Sequence, residues 1–168
     1  TTHAIYAEPL NNAFDWARES SWMLDSLPVL VAAHHLGGRA GAIEQALGLV
    51  KTHLAKPAWG REREDVYGHN GDIGGGAVFR IMAWAYHMLS PQMDADLKKQ
   101  FLAKLEYQGN ALLTQTLLMR DYWGGSLLQD HGRQAVFDLG AGAMHLWGLV
   151  PSADRWVAYA LPRLRRAL

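Results

Sequence analysis

Helical hydrophobic spacing recurs six times along the 168 residues, and the links between these periods alternate short and long. Few architectures accommodate both features. Trp22, Met23, Leu27, Leu30, Val31 and His34 follow helical spacing up to Gly37-Gly38. Ile43, Leu47 and Val50 carry a second period over about 39–54, and Val78, Phe79, Met82, Ala85, Tyr86 and Leu89 mark a third. Ser90-Pro91 reads as the N-cap and first residue of a fourth, which runs through Leu97, Phe101, Leu105 and Leu112 to about 119. A fifth covers about 131–148 with Val136, Leu139, Ala143 and Leu146 on one face. Pro151-Ser152 opens a sixth that ends in Arg163, Arg165 and Arg166, cations suited to a helix C-terminus. No segment alternates as a half-buried strand would.

Short links join antiparallel neighbours. Gly37-Gly38, Ser90-Pro91 and Leu149-Val150-Pro151 are the short ones, and about 55–72 and 120–130 are the long ones. The chain therefore reads as a single all-α domain over 1–168, made of three αα-hairpins at about 14–54, 72–119 and 131–168. A signature marks the repeat. The first helix of each pair ends in a small residue, any residue, His and an apolar residue: Ala33-His34-His35-Leu36, Ala85-Tyr86-His87-Met88 and Ala143-Met144-His145-Leu146. Histidine in a last turn complements the macrodipole, so these read as structural. First helices also carry small residues in runs, Gly74-Gly75-Gly76-Ala77 and Gly140-Ala141-Gly142-Ala143, which permit close helix approach. Second helices are richer in Lys, Arg, Glu and Gln. An inner and an outer layer of this kind is expected of an α/α toroid. Three hairpins make an arc of one, or an incomplete ring. The start at Thr1 reads as a removed signal peptide or as a fragment, and the hairpin count makes the chain part of a longer protein by expectation.

Composition narrows the function. Hydrophobic residues make up 49% of the chain, enough for a sizeable core, and 16 basic residues balance 16 acidic ones. That balance argues against nucleic acid and anionic membranes as partners, since both require a basic excess. No apolar run reaches the roughly 18 residues of a membrane span. With no cysteine, disulfide scaffolds and thiol catalysis are excluded. No HExxH motif and no i,i+4 histidine pair supports a zinc site, and no cofactor is implied. Gly71-Asp72-Ile73-Gly74-Gly75-Gly76 lacks the preceding strand and the Gly-Lys-Ser/Thr ending of a phosphate loop.

The 7 Trp and 8 His are unusual for so short a chain. With alternating connectivity, the long links fall at one end, beside the N-termini of the first helices, where binding residues commonly lie. Three stretches share that rim: Asn11-Asn12-Ala13-Phe14-Asp15-Trp16 is the first, and Trp59, Arg61, Arg63, Tyr67, His69, Asn70 and Asp72 occupy the middle one. Arg120, Tyr122, Trp123, Gln129, Asp130, His131 and Arg133 occupy the last. Aromatic planes stack on sugar faces, and arginine pairs with carboxylate or sulfate in bidentate fashion. An anionic oligosaccharide or polysaccharide is thus the expected ligand. The competing reading has Trp59 and Trp123 plugging the ends of the core. Asp130 has its own alternative, a plain N-cap with His131 exposed in the first turn.

Two stretches carry a family resemblance. One runs Asp121-Tyr122-Trp123-Gly124-Gly125-Ser126 through Gln129-Asp130-His131-Gly132-Arg133 to Ala141-Gly142-Ala143, and on into Pro151-Ser152-Ala153-Asp154-Arg155-Trp156. The other is Gly68-His69-Asn70-Gly71-Asp72-Ile73, followed by Phe79 to Tyr86 and the Leu89-Ser90-Pro91 turn. Together, over about 68–161, they resemble the helical domain of the heparinase II/III-like polysaccharide lyases. The resemblance implies a helical toroid followed by a β-sandwich, in a secreted or periplasmic enzyme that cleaves uronate polysaccharides by β-elimination; a cytoplasmic location is the alternative. It implies a donor at an inner-helix start that neutralises the uronate carboxylate, and a Tyr or His that moves the proton. The family's Asn-His pair falls on Asp130-His131, which makes His131 the implied catalytic residue. Asp130 stands where the family has Asn, and Gln129 is the neighbouring amide. The family's catalytic Tyr and a further His come from later segments, so this chain is expected to carry an incomplete set.

Two other readings compete. A non-catalytic helical-repeat module would use apolar inner faces to bind a partner or a second copy of itself as a homodimer. A glycoside hydrolase-type toroid would need two carboxylates, and Asp15, Asp72 and Asp130 are available.

Overall fold

The computed structural model describes residues 15–57, 59, 73–117 and 130–167. Six α-helices fill them: α1 Asp15–Gly37, α2 Ala42–Ala55, α3 Ile73–Leu89, α4 Ala95–Leu117, α5 Asp130–Leu146 and α6 Ala153–Ala167. There is no strand among the described residues, so the all-helical reading holds. No described helix is long and apolar enough to cross a membrane.

The stops are chemical. Gly38 takes φ 58°, and its N–H closes back on the His34 carbonyl at 3.0 Å, an αL stop that a Cβ would strain. Gly148, at φ 76°, ends α5, and the Leu149 and Val150 N–H groups close back on the Leu146 carbonyl at 2.9 and 3.2 Å. The start of the fourth helix differs from the sequence expectation. Ser90–Gln92 forms a short 3-10 turn with Pro91 in its first positions, and α4 begins at Ala95. The cap is Asp94, whose Oδ1 accepts the Leu97 N–H at 2.7 Å. Asp94 caps the helix because its carboxylate reaches the N–H three residues on, and the fixed φ of proline suits the tighter turn before it. At α6 the Ser152 carbonyl accepts the Trp156 N–H at 3.2 Å, while its hydroxyl is spent elsewhere, donating to Glu106 Oε1 at 2.7 Å.

Packing follows the hairpin pattern. Consecutive helices pair as α1–α2, α3–α4 and α5–α6, and the first helices form a row in which α3 packs against both α1 and α5. The second helices lie behind, α4 touching both α2 and α6. Gly74 to Phe79 of α3 are all buried. Small residues allow this, as their clustering predicts: a Cβ on Gly142 of α5 would lie 2.3 Å from Phe79 Cε1, and one on Gly109 of α4 would lie 2.5 Å from Trp156 Cζ2. Phe79 and Trp156 meet edge to face at 5.5 Å, with the Trp156 indole N–H donating to Asn110 Oδ1 at 3.1 Å. All four of the later helices therefore meet at one aromatic pair.

Candidate functional site

The contacts between α3 and α5 fix their direction. Gly76 and Arg80 meet Asp138, Phe79 meets Gly142, and His87 meets His145. The outermost contacts, Gly76 with Asp138 and His87 with His145, advance together along both helices, so they run parallel and their N-termini share one end. Arg80 and Asp138 are 58 residues apart, and His87 and His145 are separated by the same interval. Equivalent positions of successive hairpins thus face each other. The histidine signature is a consequence of this register: the rings of His87 and His145 lie 6.0 Å apart, tilted 45°.

Asp130 and His131 are the first residues of α5, at the end shared with the start of α3. Their side chains, and all of Tyr67, His69, Asn70, Tyr122, Trp123 and Gln129, lie outside the described residues. So do Asp72 and the side chain of Asp15, the other carboxylates of the glycosidase alternative. Arg133 is exposed one turn into α5. Trp59 is corrected by the structure: it is 4% exposed, its indole N–H donates to the His53 carbonyl at 2.8 Å, and the Lys104 ammonium lies 5.9 Å from its ring. Lys104 also donates to the carbonyls of Lys56 and Pro57, just past the end of α2, at 2.5 and 2.9 Å. Six residues after His53, an indole can reach back to a helix-end carbonyl, which favours burial over the sugar platform expected of it. Trp59 plugs the core.

Two residues that sequence reasoning passed over define the most polar point between α3 and α5. Arg80 Nε donates to Asp138 Oδ1 at 2.6 Å, and Gln134 Nε2 donates to the same oxygen at 3.0 Å. Asp138 is fully buried, and its Oδ2 has no hydrogen-bond partner among the described residues. Burial pushes its carboxyl up from the ordinary value, while Arg80 and Gln134 pull it down. A signal existed. Arg80 is the one charged residue between Ile73 and Tyr86, and Asp138 sits between the core positions Ala135 and Leu139. Arg80, Trp84 and His87 share one face of α3; Phe137, Ala141 and Met144 share the adjoining face of α5, with the Arg80 guanidinium 5.8 Å from the Phe137 ring centroid.

His145 is held below the ordinary histidine value of 6.5, first by burial and then by the nearby His87 and Arg80. As pH falls, the unfolded chain takes up this proton before the folded one. The histidine's contribution is full above 6.5 and is lost as pH drops through 6.5 toward the folded midpoint. NMR titration is expected to place the His145 midpoint below 6.5 and to move it up in His87→Gln. A midpoint at or above 6.5 in the parent chain contradicts the packing of this pair.

Among the described residues, no group of three His, Asp or Glu side chains is placed to hold a metal ion. Comparison of the chain with protein-family models, curated proteins and solved structures finds no match.

Proposed function

We propose that this chain is the helical part of a polysaccharide lyase-like protein, secreted or periplasmic, which binds uronate-bearing polysaccharide and cleaves it by β-elimination. Its helices form an arc of an α/α toroid. The observation that carries the reading is the parallel register of α3 and α5, which sets Asp130, His131 and Arg133 beside the start of α3. Two helix N-termini at one end supply a favourable dipole for an anion. Arg133 supplies a permanent cation there, and His131 is the group that neutralises the uronate carboxylate or moves its acidic proton. Calorimetric titration tests this with oligogalacturonate and a neutral oligoglucan of equal length. Only the acidic oligomer is expected to bind, and Arg133→Ala and His131→Ala are each expected to weaken it about tenfold. Equal affinity for both oligomers removes the reading.

A second reading has its own observation. Phe137, Met144, Trp147 and Leu149, on α5 and the turn after it, are 47%, 61%, 56% and 46% exposed. An exposed apolar edge of this kind suits a helical-repeat module that associates with a partner or a second copy. Sedimentation as a stable dimer that ignores oligogalacturonate would favour it.

A further inference from the structure

The Arg80–Asp138 pair is poorly built for stability alone. A buried ion pair pays for desolvation and returns it only when every polar atom is satisfied. Here both donors, Arg80 Nε and Gln134 Nε2, converge on Asp138 Oδ1, and Oδ2 is left buried with no partner among the described residues. Oδ2 also faces Gly76, where even a Cβ would lie 3.0 Å away. The arrangement is better suited to aiming the arginine. Asp138 engages only the Nε edge of the guanidinium. The terminal Nη1/Nη2 edge makes no hydrogen bond among the described residues, and the side chain keeps 26% of its surface exposed. The Phe137 ring flanks the guanidinium, and Trp84 lies one turn further along the same face of α3. Toward the C-termini of the two helices stand His87 and His145. Asp138 thus shares this cluster with one guanidinium and two imidazoles.

We infer that Arg80 anchors an oxyanion subsite on the α3/α5 face, binding a carboxylate or sulfate group along its Nη edge, with Asp138 as the positioning residue and His87 and His145 as flanking donors. A planar fork held at one edge presents two parallel N–H donors to a planar or tetrahedral anion. The inference does not rest on the proposed function: the start of α5 can be inert and the subsite still stands. The anion can be free, or it can be a uronate or sulfate carried on a sugar chain.

The test is an NMR titration that follows the Arg80 guanidinium and the His145 ring. The additions are inorganic sulfate, glucuronate and a uronate trisaccharide. Saturable shifts of the Arg80 Nε and Nη resonances are expected in the parent chain. Arg80→Lys keeps the charge beside Asp138 but loses the fork, and is expected to bind about tenfold more weakly. Arg80→Met/Asp138→Asn removes both charges without stranding either, and is expected to abolish binding while keeping the folded amide spectrum. Titrations unchanged in both variants overturn the inference, as does a parent guanidinium that responds to none of the three anions. Tighter Arg80-dependent binding of the trisaccharide than of glucuronate assigns the site to a sugar chain; equal Arg80-dependent affinity assigns it to a free oxyanion. Because the lysine variant retains the ion pair, a folding failure of the double variant does not remove the test.

Discussion

Gly142→Ala is expected to destabilise the protein by about 1–3 kcal/mol, although alanine favours helix over glycine by about 1 kcal/mol. The sign is decided by what the new methyl meets. Its Cβ would sit 2.3 Å from Phe79 Cε1 and 2.8 Å from Cδ1, far inside van der Waals contact. Phe79 has nowhere to go. It is 1% exposed and packs edge to face on Trp156, which is itself fully buried. The far edge of Trp156 is blocked in turn by Gly109, where a Cβ would lie 2.5 Å from Cζ2. Two glycines on α4 and α5 therefore clamp an aromatic pair from α3 and α6, and Gly109→Ala is expected to cost as much as Gly142→Ala. Gly48 is the control. It is exposed within α2, and a methyl added there would meet nothing within 4 Å, so Gly48→Ala is expected to add about 0.5–1 kcal/mol of stability. Urea unfolding of the three variants measures this. A Gly142→Ala protein at least as stable as its parent contradicts the close approach of α3 and α5.

The same residues show where sequence reading succeeds and where it stops. Helical periods are written locally, in spacings such as Val136, Leu139, Ala143 and Leu146, and each hairpin turn carries its own glycine or proline. Helix number, order and short links were therefore legible, as was the use of small residues on α3 and α5. Register was half legible. The repeat of small residue, any residue, His and apolar residue predicts equivalent helix ends, but only packing brings His87 against His145. The cap at Asp94 was displaced by a competing signal in Ser90-Pro91, since two adjacent turn motifs cannot be ranked without knowing where the chain must bend. Trp59 misled for a related reason: an aromatic in a link reads as a platform until its indole N–H finds the His53 carbonyl. The Arg80–Asp138 pair was illegible as a pair because its partners lie 58 residues apart and neither belongs to a motif.

Arg80→Met is expected to destabilise the chain by about 3 kcal/mol, the lower end of what stranding a buried charge costs, because Arg80 itself is partly exposed. Methionine fills much of the stem volume, so the loss reports the carboxylate left behind rather than a cavity. Asp138, fully buried, would keep only the Gln134 hydrogen bond. Its carboxyl already sits above the ordinary value of 3.8, and losing the opposing pull of Arg80 moves it higher. An acid whose folded value exceeds its unfolded value binds its proton more readily in the folded chain. The stability of Arg80→Met should therefore recover as pH falls through that raised value toward 3.8, the opposite of the trend set by His145. Asp138→Asn in the same background should restore most of the loss at pH 7 and remove the acid recovery, because no buried charge remains to be protonated. The double-variant cycle isolates the pair from its surroundings. If Arg80→Met and Arg80→Met/Asp138→Asn are equally stable at pH 7 and respond alike to acid, the Asp138 carboxyl titrates alike in the folded and unfolded chains, and Arg80 does not compensate a buried charge.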